Sequence, residues 1–243
     1  MAVEHLNRYA QVRVLLRGTS PASFPPGMSA SECIIHHQTT GELIRLTDVT
    51  IRPSFSALFS GGLGLAAHGT LGQGSVAAQI RTKDFSDFSQ LHLSGTVDDV
   101  RLKRLVLAKT YFPALDGVVS GSGSLDTNGN GALTLQVSKM ETTFHSTALV
   151  GYPTMRGTLL ASFSEGDMSV DSLMLKAGQT FALTLQGKVH PLWQNGPDAE
   201  LQLTGALRAP QNRLRPQYQK SSQGKDLKFS LCGKISVPMY SFK

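Results

Sequence analysis

A seven-residue phrase, apolar-x-apolar-x-Gly-x-apolar, recurs along this chain and constrains its fold more than any other feature. It reads Leu65-Ala67-Gly69-Leu71, Leu91-Leu93-Gly95-Val97, Leu183-Leu185-Gly187-Val189, Leu201-Leu203-Gly205-Leu207 and Phe229-Leu231-Gly233-Ile235. Successive side chains of a strand point to opposite faces, so the four named positions of each phrase share one face. The residues between them are mostly polar, as at His92, Ser94 and Thr96 or at Thr184, Gln186 and Lys188. Each phrase is a strand whose apolar face has a gap at mid-length. A glycine inside a strand marks a bend or the close approach of another backbone.

Strands bent in this way predict an all-β fold: a strongly curved, mostly antiparallel sheet folded over an apolar groove, in the manner of a half-barrel. A sandwich with glycine bulges is the plainer alternative. On the groove reading the lining comprises Leu91, Leu93, Gly95 and Val97; Leu183, Leu185, Gly187 and Val189; Leu201, Leu203, Gly205 and Leu207; and Leu231 with Gly233. Period-two alternation elsewhere, at Val76, Ala78 and Ile80 and at Leu133, Leu135 and Val137, extends the same pattern. Two short helices are expected, over Pro53–Gly61 and Leu105–Phe112. Residues 210–227 read as a mobile, basic, polar loop before the last strand. With no other break in composition, residues 1–243 form one domain.

Composition narrows the function. Apolar residues make up 40% and charged residues only 16%, too little charge for a solvated disordered chain. The net charge of +6 is spread out, with one concentration between Arg208 and Lys228 that holds a single aromatic, Tyr218. A nucleic-acid binder would interleave a basic stripe with aromatics, so no nucleic-acid partner is expected. The two cysteines, Cys33 and Cys232, are no disulfide framework; two independent buried thiols are expected, against one bridge joining the ends. No apolar run is long enough for a membrane helix, and no signal peptide precedes the first strand-like run. By themselves the residues give a soluble, cytoplasmic chain, an expectation that the resemblance described below replaces.

The motifs that could carry chemistry each have a structural explanation. Gly62-Leu63-Gly64-Leu65-Ala66-Ala67 fits a dinucleotide fingerprint, but a strand follows it where a helix is required. Asp126-Thr127-Asn128-Gly129-Asn130-Gly131 begins like a calcium loop, yet its twelfth position is Val137, and a hairpin turn accounts for it. His36 and His37 are neighbours on a strand and face opposite sides, which defeats joint ligation with Glu32 or Cys33. No G-x-S-x-G elbow and no nucleophile–base set is present, so the chain is read as a non-enzyme with no metal and no cofactor.

The combination of FPPG (Phe24–Gly27), VTIRPSFSALFSG (Val49–Gly61) and the strand glycines resembles the type II secretion system protein N family, part of the wider AsmA-like group of β-groove proteins. GVVSGSGSLD (Gly117–Asp126), SFSEGDMSVDSLMLKAG (Ser162–Gly178) and ALTLQGKV (Ala182–Val189) extend the likeness over roughly residues 20 to 208. The resemblance implies a β-domain on the periplasmic side of the inner membrane, working with the other proteins of a secretion machine. The wider group also implies a groove that holds or passes lipid acyl chains. Members of the family begin with a transmembrane anchor, whereas here the first strand-like run starts within about ten residues of Met1. The expectation is therefore a truncated gene model, with 1–20 a truncated N-terminal part, an excised soluble part or a form that lacks the anchor.

Overall fold

The computed structural model describes residues 12–22, 26–37, 41–55, 57, 62–83, 91–106, 108, 115–142, 154–195, 198–222 and 226–242. Its strands are β1 (Val12–Ala22), β2 (Gly27–His37), β3 (Gly41–Pro53), β4 (Leu63–Leu71), β5 (Gly74–Thr82), β6 (His92–Arg101) and β7 (Leu115–Asp126). They continue as β8 (Gly131–Thr142), β9 (Met155–Ser164), β10 (Asp167–Ala177), β11 (Phe181–His190), β12 (Glu200–Arg208), β13 (Leu227–Lys234) and β14 (Val237–Phe242). Among the described residues these fourteen strands form one antiparallel sheet in which every strand pairs with its neighbours in sequence. Among the described residues the sheet does not close, with β1 and β14 as its edges, and helix is confined to a few short turns. The all-β expectation is met.

The phrases lie where the alternation puts them. On β12, Leu203 pairs with Gly187 of β11 and Leu231 of β13, and Gly205 pairs with Leu185 and Phe229. Gly187 and Gly205 thus each face large apolar partners across the ladder, whereas Gly95 on β6 faces Ala78 and Gly123. At Gly187 the backbone has φ +144, and a Cβ there would stand 2.1 Å from Gln202 O. That conformation and that contact admit only glycine.

Bulges supply further bending. Register shifts fall at Thr47/Thr50 on β3, Val97/Val100 on β6 and Val137/Met140 on β8. Each contains a left-handed residue, Asp48, Asp99 or Lys139. A bulge sharpens the local twist and re-aims the side chains beside it. Here the bulges keep Val49, Val100 and Val137 buried.

The apolar face is packed at both ends of the strands. At one end Val100, Val119, Val137, Leu175, Leu207 and Leu227 form a buried row, covered by Leu102, Leu105, Leu214 and Tyr218. At the other end Val189, Leu201 and Leu203 pack under Leu192 and Ala199. A third cluster joins Ala30, Cys33 and Val49 of β2 and β3.

Three expectations need adjustment. Of the two expected helices, Phe55 and Ala57 in the first and Val106 and Ala108 in the second are helical, and the rest of each segment lies largely outside the described residues. The described helices are instead α1 (Leu192–Asn195) and α2 (Pro216–Ser222). The second falls inside the segment read as a structureless loop, together with a 3-10 turn at Gln211–Arg213. Leu214 anchors that segment in the core, and Tyr218 packs at a tilt against Phe242 with ring centroids 5.0 Å apart. The two cysteines are free as expected, but Cys232 is exposed, because it falls on the polar parity of β13.

Candidate functional site

A cleft of about 980 Å³ lies over β3–β8 and opens on the face opposite the apolar phrases. Two rows of cross-strand partners make its floor. One runs Thr50, His68, Ala77, Thr96, Ser122 and Thr134. The next runs Arg52, Ala66, Gln79, Ser94, Ser124 and Ala132. Both rows line the cleft. Five inter-strand spacings separate the ends of a row, roughly 24 Å.

This floor carries hydroxyl and methyl groups, one amide, the His68 imidazole and the Arg52 guanidinium. Among the described residues that line it there is no Asp or Glu, and its cationic side chain is Arg52. Arg52 Nε is buried and has no hydrogen-bond partner. Its stem crosses Gly27, where a Cβ would stand 2.7 Å from Arg52 Cγ. Gln79 donates from Nε2 to Ser54 Oγ and accepts at Oε1 from Arg81 at 2.9 Å, which fixes the amide in one orientation. Phe55 stands at the cleft and is 52% exposed.

Three other arginines are paired at close range. Arg45 meets Glu42 at 2.8 Å, Arg101 meets Asp116 at 2.8 Å and Arg208 meets Asp226 at 2.8 Å. The hydrogen bond from each guanidinium is the main reason that Glu42, Asp116 and Asp226 have carboxyl pKa values below the ordinary range. These pairs lie at the surface and are structural.

A second cleft of about 620 Å³ opens over β11–β13 and is lined by Thr184, Gln186, Thr204 and Ser230, also of the polar parity. The residues expected to line an apolar groove are distributed differently. Gly95 borders the larger cleft, and Leu185 and Gly205 border the smaller. Val97, Leu183 and Leu207 belong to the first core cluster; Val189, Leu201, Leu203 and Leu231 belong to the second. Leu93 is 37% exposed, Leu91 precedes β6, and Gly233 lies on β13 with φ +93.

The motifs set aside on sequence grounds take the conformations expected of them. Gly64 lies in β4, so no helix follows the glycines of 62–67. Asp126 Oδ1 accepts the N–H groups of Asn128 and Asn130 at 2.9 and 2.8 Å, and these bonds, Asn130 first, hold its carboxyl low. It caps a hairpin turn. Among the described residues no group of three His, Cys, Asp or Glu side chains is placed to hold a metal.

Sequence reasoning passed over the cleft residues by treating the polar parity as an ordinary outer face. A signal was present. The polar positions of β6–β8 that floor the cleft are Ser, Thr and Ala, whereas those of β11 and β13 include Lys188, Lys228 and Lys234. A plain solvated face carries Lys and Glu, and their absence marks a surface that meets something. No family model, curated protein or solved structure matches the chain.

Proposed function

We propose that the protein is a non-enzymatic β-scaffold that acts through contacts with other proteins. Its resemblance to the type II secretion system protein N family suggests the particular role: a component of a secretion machine facing the periplasm at the inner membrane. One observation carries the scaffold reading. Over β11–β13 the apolar face is filled by its own side chains, with Val189 1% and Leu203 6% exposed, and the open clefts lie on the polar face.

The runner-up is a lipid-binding or lipid-transfer module. It is favoured by Leu65 and Leu93, which are 39% and 37% exposed on the apolar face of β4 and β6. Native mass spectrometry after mild detergent extraction distinguishes the two. The scaffold reading expects protein partners at fixed stoichiometry and no stoichiometric lipid. Lipid near one mole per mole, lost in a folded Leu93→Asp variant, would overturn it in favour of the module.

A further inference from the structure

We infer that the cleft over β3–β8 binds a carboxylated oligosaccharide, with Arg52 pairing the sugar acid and the hydroxyl floor receiving the ring hydroxyls. The inference is independent of the secretion reading. It begins from Arg52. A guanidinium whose Nε is shielded from water without a hydrogen bond has lost hydration and gained nothing in return. Arg52 lines a cleft in which no described residue is a carboxylate, and no ion pair of its guanidinium is found among the described residues, so the terminal amino groups are left to an anion that enters the cleft. A carboxylate is the simplest fit to the planar fork.

The rest of the floor decides what carries that acid. An acyl chain needs a lining of large apolar side chains, and this floor is Ser, Thr, Gln and Ala with His68 and Arg52, its one large apolar side chain being Phe55 at the margin. A polynucleotide needs several cations and stacking aromatics, and here Arg52 stands with one aromatic. A peptide is recognised through a free sheet edge, an apolar groove, an aromatic-lined track, a cluster of arginines or a backbone nest, and a single arginine over a flat ladder is neither of the last two. The floor strands β4–β8 are each paired on both sides, so they offer no free backbone edge. What remains is a hydroxyl-rich ligand. Ser94, Thr96, Ser122 and Ser124 each both donate and accept, and Gln79 presents a fixed amide. Phe55, at the cleft and half exposed, offers a face to a sugar ring.

The test is isothermal titration calorimetry on the full chain with three probes: an alginate tetrasaccharide, neutral maltotetraose and a short oligoglutamate. The alginate probe should bind, and maltotetraose should bind roughly tenfold more weakly for want of the charge-assisted pair. Arg52→Gln should bring alginate down to the maltotetraose level with the thermal melt unchanged. Ser122→Val, which adds methyl groups to the floor without touching Arg52, should weaken both sugars and keeps the test valid if Arg52→Gln misfolds. Absence of binding by the alginate probe, equal affinity for alginate and maltotetraose, or alginate binding indifferent to both variants overturns the inference. Oligoglutamate binding as tightly as alginate also overturns it and reassigns the cleft to an acidic peptide.

Discussion

The ring of Phe229 on β13 lies over Gly205 on β12, its Cζ 2.7 Å from the point that a Cβ on that glycine would occupy. On the other side, Thr184 O would be 2.3 Å from the same point. The glycine is therefore a socket for its neighbour's ring as well as a place where two backbones crowd. Gly205→Val should destabilise the protein by about 1–3 kcal/mol through overpacking, read as a lower urea midpoint. An unchanged midpoint would mean that the ring and the strand move aside freely.

Gly187 and Lys188 are adjacent but face opposite sides of β11. Gly187→Val forces a branched side chain onto φ +144 and against Gln202 O, and should cost at least about 1–3 kcal/mol. Lys188→Val, on the exposed side, should stay within about 0.5 kcal/mol. Equal losses in urea melts would contradict the assignment of faces.

Leu203 is buried in the second core cluster, whereas Leu93 is 37% exposed. Leu203→Asp strands a charge in the core and should cost several kcal/mol, on the order of 3 or more. Leu93→Asp should fold with a melting temperature close to wild type. A well-folded Leu203→Asp variant would show that this part of the apolar face is open to solvent.

Both cysteines are free, but burial raises the Cys33 thiol pKa and Cys232 is exposed. Iodoacetamide should label Cys232 in the native protein and Cys33 only after denaturation. Mass spectrometry of the peptides reads this directly, and rapid native labelling of Cys33 would show that β2 opens.

Glu42, Asp116, Asp126 and Asp226 all have folded pKa values depressed by hydrogen bonds, the first, second and fourth from arginines and Asp126 from backbone N–H groups. An unfolded chain then binds more protons than the native one as carboxylates begin to titrate. Their stabilisation is complete above the unfolded carboxylate pKa, about 4, and is lost as pH falls through the lower folded values. The urea midpoint should be level from about pH 7 to about pH 5 and drop toward about pH 3. Asp116→Asn should flatten part of that acid limb, and an unaltered limb would remove the Arg101 pair from the account.

The strand phrases were legible because alternation and glycine placement are local, and Leu203, Leu207 and Val189 declare a buried face by spacing alone. The sense of that face was not legible. Whether Leu201 and Leu203 line an open groove or fill a core depends on Leu192 and Ala199, which reach them from the end of the sheet. Likewise nothing near 210–227 reveals that Leu214 is a core residue, since its partners lie on distant strands. The cleft escaped notice for a different reason. Thr50, Thr96 and Thr134 become one surface only through registers that span more than 80 residues of chain.

Because each described strand hydrogen-bonds only to its neighbours in sequence, the sheet resembles a linear lattice more than a globule. Its stability is largely a sum of nearest-neighbour couplings, so order can spread along it by zippering and fray from its margins. A lesion such as a valine at Gly187 then acts as a domain wall, uncoupling the segments on either side while each keeps its own pairings. Hydrogen exchange in such a lattice is graded by distance from the margin and stepped at the lesion, a profile that a closed barrel, lacking margins, does not have.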